Sequence, residues 1–188
     1  IDAGRTMPSI HLFLNEFDAT KNTQLVSMLP EFKKIAPSLT IAQEQMDFAD
    51  SFKQWLPCMQ RKKVANLLFL DQNGFKQITR PVFENIARLQ HTDFIFFISS
   101  AMVNRFKEEE EISKYLPVSP SDIGRMNGSN VHRILVEAYH RWLPSGLEYY
   151  LAPFSIKKGA NVYGLVFGSG HPLGMDKFLH LAWRHAGS

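Results

Sequence analysis

At 188 residues, with 45% hydrophobic and 12% aromatic side chains, the chain has the composition of a folded globular protein, not of a disordered or fibrous one. Its formal charge of +3 permits an acidic partner without demanding one, and a lone Cys58 excludes an intrachain disulfide framework and favours a reducing compartment. No stretch approaches the roughly 18 to 20 uncharged apolar residues of a membrane helix, and the start lacks a signal peptide's layout, so a cytoplasmic protein with no membrane partner is expected.

The chain opens on Ile1 and stops at Ala186-Gly187-Ser188, just past a helical pattern. One incomplete α/β domain over residues 1–188 is therefore expected, with residues missing before Ile1, near Gly4 to Ser9, and after Ser188. Ile1 to Gly4 reads as the end of a strand, yet only Arg5 to Ser9 separate it from the next one, too few for a parallel crossover of about ten residues.

Ile10 to Asn15 predicts a strand, Asn22 to Lys34 a helix, Leu39 to Glu44 a strand and Asp50 to Gln60 a helix. Val64 to Leu70 is apolar at nearly every position, the pattern of a strand covered on both faces in a parallel sheet. A helix is expected from Pro81, with Thr79 as its cap and Val82, Phe83, Ile86 and Leu89 on its buried side. Asp93 to Ile98 predicts a second doubly buried strand. Such alternation implies right-handed βαβ units around a parallel sheet.

Tyr115 to Ser129, with two prolines and two glycines, reads as a long surface loop. Asn130 to Leu143 predicts an amphipathic helix capped by Ser129, with His132, Arg133, His140 and Arg141 on its outer side. Beside Arg61, Lys62 and Lys63, or Lys157 and Lys158, that face could meet phosphate backbones, or it could simply be solvated. Leu147 to Ile156 and Asn161 to Phe167 are strand-like runs separated by four residues, which allows only an antiparallel hairpin. Gly168 to Gly174 reads as the connection to a helix over Met175 to Trp183, because the spacing departs from a dinucleotide fingerprint. The seven histidines show no metal spacing, and no metal site is expected.

The acidic residues fall at successive strand ends: Asp2, Glu16, Asp47 and Asp71. In α/β sheets ligands bind beyond the carboxyl ends of the strands, and a carboxylate after the second strand can accept hydrogen bonds from ribose hydroxyls. Glu16 holds that position, and Asp47 could reach an adenine amino group. The alternative is that strand ends enter solvent and collect polar residues anyway.

Three runs, LLFLDQNGFKQIT, TDFIFFISSAMVNRF and YYLAPFSIKKGANVYGLVFGSGHPLGMDKF, resemble the bacterial and phage three-Cys-motif partner proteins from about Leu67 onward. The strongest likeness is the Asp-x-x-Gly turn of Asp71 to Gly74 followed by Lys76, in which Asn73 replaces the usual aromatic. The resemblance implies a Rossmann-like class I methyltransferase fold, a mostly parallel sheet ending in a C-terminal antiparallel hairpin. It further implies S-adenosylmethionine as cofactor, a nucleic acid base as acceptor and a three-Cys-motif protein as partner. On that reading Asp2 and Gly4 would hold the amino acid end of the cofactor, and Glu16 and Asp47 its nucleoside. Asp71 would orient the acceptor, and Asn73, Gly74 and Lys76 would line the substrate side. A non-catalytic binding module on the same scaffold is the other expectation.

Overall fold

A computed structural model describes residues 8–71, 76–99, 115–127, 130–158 and 161–185. The chain divides into two compact units, Ile1–Pro57 and Cys58–Ser188.

The first unit is a βαβ arrangement: β1 (His11–Asn15), α1 (Ala19–Ile35), β2 (Thr40–Glu44) and most of α2 (Phe48–Met59). The two strands run parallel, with His11 opposite Thr40 and Asn15 opposite Glu44. Asp18 starts α1 by accepting a hydrogen bond from the Lys21 amide at 2.9 Å, relieving one of the unpaired amides of the first turn. Lys33 and Lys34 sit in the last turn, where positive charge complements the helix dipole. Phe13 of β1 packs on Trp55 of α2 with ring centroids 4.0 Å apart.

The second unit holds a four-stranded mixed sheet in the order β3-β4-β6-β5. Its strands are β3 (Asn66–Leu70), β4 (Thr92–Ser99), β5 (Tyr150–Lys158) and β6 (Asn161–Ser169). β3 runs parallel to β4, while β6 lies antiparallel between β4 and β5. The C-terminal hairpin is thus as expected, and its link is shorter than four residues because the strands extend to Lys158 and from Asn161. The fold is α/β, with its described strands in two sheets, one per unit.

Side chains alternate across the sheet, and each face has its own helices. On one face Phe83 of α3 (Arg80–Arg88) meets Phe94 edge-on at 6.1 Å, and Tyr139 of α5 (Val131–His140) lies 5.1 Å from both Phe83 and Phe96. Phe83, Phe94, Phe96, Leu135 and Tyr139 are fully buried there. On the other face α6 (Pro172–His185) stacks Phe178 on Phe167 at 4.2 Å. That cover stops short of β3, whose Leu67 and Phe69 are 69% and 70% exposed, so the strand is not covered on both faces as the apolar run from Val64 to Leu70 predicted.

Three further expectations are corrected. The stretch after Tyr115 is no mere surface loop: α4 (Pro120–Arg125) forms within it, and Leu116, Val118, Asp122 and Met126 are buried. His132 is not on an outer face but 4% exposed, because α5 is enclosed on most of its circumference. Asn130, not Ser129, occupies the cap position of α5, and Ser129 lies outside the described residues. Thr79 does sit at the start of α3, without a side-chain capping bond.

Candidate functional site

The carboxyl ends of β1 and β2 are joined by a polar network. Asn15, the last residue of β1, accepts from the Met46 amide and donates to the Met46 carbonyl, both at 3.1 Å. The Glu16 amide donates to the Glu44 carbonyl at 3.3 Å. These bonds bring the chain beyond β1 against the turn beyond β2, so Glu16 and Asp47 share one end of the parallel ladder.

Both carboxylates also have local duties. Glu16 Oε1 accepts from the Asp18 amide at 2.9 Å, and Asp47 Oδ1 accepts from the Ala49 amide at 2.8 Å. The Ser51 amide bonds to the Asp47 carbonyl at 3.0 Å, making Asp47 the N-cap of α2. Such bonds orient a carboxylate while leaving other lone pairs for hydroxyl or amino donors. Glu16 is half-buried and Asp47 exposed.

The same edge contains groups that strand-end reasoning passed over. Glu44, still within β2, accepts from Trp55 Nε1 at 2.9 Å and from the Gln54 amide group. Asn22 of α1 donates to Gln45 Oε1 at 3.1 Å and accepts from Gln43. The available signal was the concentration of amides and carboxylates in Gln43, Glu44 and Gln45, interrupting the apolar pattern of the strand.

In the second unit Asp71 is exposed immediately after β3. Lys76 is also exposed, with Nζ 5.1 Å from the ring centroid of Tyr115, a cation–π contact that orients the ammonium. Asp2, Gly4, Asn73 and Gly74 lie outside the described residues.

Two further clusters surround α5. Asp122 is buried and accepts from the Ser119 amide and Ser119 Oγ at 2.8 Å each, from Arg125 at 2.9 Å, and from Arg141. Burial alone would raise its carboxyl, yet the Ser119 bonds, the Arg125 bond and the Arg141 charge together hold it at about 2. Arg141 also donates to the Pro117 carbonyl, so its role is to fasten the segment before α4. His132 Nδ1 lies 2.8 Å from Ser155 Oγ, and burial pushes its imidazole below the ordinary histidine range. Of the basic groups considered for phosphate contact, Arg61, Lys62 and Lys63 are exposed between α2 and β3.

Among the described residues no group of three or more histidine, cysteine or acidic side chains could hold a metal ion, and no helix is long and apolar enough to cross a membrane. The chain matches no protein-family model, and a search of curated proteins finds no match.

Proposed function

We propose that this chain is a class I methyltransferase-like domain that binds S-adenosylmethionine and methylates a nucleic acid base, working in the cytoplasm with a three-Cys-motif protein. The observation that carries this reading is the placement of Glu16 and Asp47 at the carboxyl ends of adjacent parallel strands. That end of an α/β sheet is where nucleotides bind. The donor set fits the cofactor: carboxylates accept from ribose hydroxyls and from an adenine amino group. The parallel β3–β4 pair followed by an antiparallel hairpin also accords with such a fold.

In this reading Glu16 holds the ribose and Asp47 the adenine, with Asp2 and Gly4 at the amino acid end. The cofactor supplies an activated methyl group on its sulfonium. Asp71 accepts a hydrogen bond from the acceptor amino group and aims its lone pair, while Asn73, Gly74 and Lys76 hold the surrounding nucleotide. Catalysis by such residues is chiefly positional, since a bound near-attack geometry removes much of the barrier.

A second reading, a recognition module without turnover, draws support from the local backbone bonds of Glu16 and Asp47, which give both carboxylates structural work. Calorimetric titration with S-adenosylmethionine and S-adenosylhomocysteine, with wild type and Glu16→Ala, separates the two. Micromolar binding weakened more than tenfold in the variant supports the methyltransferase. Absence of binding by folded protein, with and without the partner, favours the recognition module.

A further inference from the structure

We infer that His132 is an acid-sensitive latch that holds the first turn of α5 against the β5–β6 hairpin. The inference is independent of the methyltransferase reading. Its geometry has three parts. His132 is the second residue of α5, and its Nδ1 meets Ser155 Oγ of β5 at 2.8 Å. Gly164 of β6, directly opposite Ser155, makes room for the imidazole: a Cβ built there would overlap the ring. Among the described residues, Nε2 is buried without a hydrogen-bond partner.

A neutral imidazole tolerates this pocket, since Nδ1–H can donate to Ser155 and leave Nε2 as a bare acceptor. Protonation changes the balance. Nε2 then carries a second N–H in a buried place facing glycine backbone, and an unpaired buried donor on a charged ring is strongly disfavoured. Burial alone accounts for the depressed pKa of the ring.

Among the described side chains, the charged groups on the elements around it are engaged elsewhere. On α5, Arg133 lies 4.0 Å from Glu137, and Glu137 also faces Arg125 of α4. Asp122 of α4 is held by Arg125 and by Arg141, just beyond α5. His140 lies two turns away along α5, and Tyr163 on β6 packs its ring on Phe97. The side chains of Lys157 and Lys158 lie outside the described ones.

The sign follows from the direction of the shift. The folded pKa lies below the unfolded value, so the latch is fully closed above about pH 6.5 and weakens as pH falls through that value toward the folded pKa. Opening is confined to the first turn of α5 and the facing strands, because Tyr139 keeps the far end of the helix seated among Phe83 and Phe96.

Hydrogen exchange of the full chain between pH 7.5 and pH 5, corrected for intrinsic exchange, tests this. Protection of the amides around Ser155, Gly164 and residues 131–134 should fall at least tenfold in wild type and stay level in His132→Gln, which keeps a donor and cannot titrate. Level protection in wild type, or an equal fall in both proteins, overturns the inference. If His132→Gln does not fold, the NMR titration of His132 in wild type decides. A midpoint below the ordinary histidine value, with hairpin amide shifts following it, upholds the latch, and an ordinary midpoint or unmoved amides refute it.

Discussion

Asp122 illustrates how a single charge can organise a segment. Only 3% exposed, it closes a capping box with Ser119 and faces two arginines. Removing its carboxylate takes away the capping box and the bonds from Ser119 and the two half-exposed arginines, so Asp122→Ala should cost about 2 kcal/mol in chemical denaturation. Its depressed pKa makes the contribution complete above the ordinary carboxyl value near 3.8, and it is lost as pH falls toward about 2. Roughly 2 kcal/mol of acid sensitivity over that window should vanish in Asp122→Asn. The Ser119-Pro120-Ser121-Asp122 pattern was readable as a capping box, but Gly124 and the neighbouring prolines pointed to a loop. If the chain transfers methyl groups as proposed, Asp71→Ala should abolish that transfer while leaving S-adenosylmethionine affinity within twofold. Retained turnover would remove Asp71 from that role.

At the level of elements, the hydrophobic periods carried most of the information. The strand and helix patterns around β1, α1, β2, α2, β3, α3 and β4 were legible to within a few residues, and so was the hairpin. His132 was misplaced because a helical period reveals one apolar stripe and does not say that a second side is covered. Gly164 and Gly168 are informative in retrospect: a Cβ at either would overlap the ring of His132 or of Phe94. Gly164→Ala should therefore lower stability by about 1–3 kcal/mol, read as a shift in denaturation midpoint. β3 presents a different case, with an open edge among the described strands and no charge from Val64 to Leu70. Uncharged edge strands invite pairing with another strand. Phe69→Lys, at an exposed position, should change stability by less than about 0.5 kcal/mol in chemical denaturation. A loss above about 2 kcal/mol would instead mean that Phe69 is covered in solution.

At the scale of the whole molecule, Arg61, Lys62 and Lys63 form an exposed basic run in a chain of mild positive charge. If nucleic acid is the acceptor, Lys62→Ala and Lys63→Ala should each lower the salt-dependence slope of binding by about one. An unchanged slope would place the nucleic acid elsewhere. The α/β character, the antiparallel hairpin and the positions of Glu16 and Asp47 beyond their strands followed from local patterns, because periodicity and turn length act over neighbouring residues. Tertiary structure alone decided the placement of β6 between β4 and β5, the burial of His132 beneath Gly164, and the reach of Arg141 to Asp122. Those outcomes depend on which faces meet across long stretches of chain, and on which polar groups must then satisfy one another away from water.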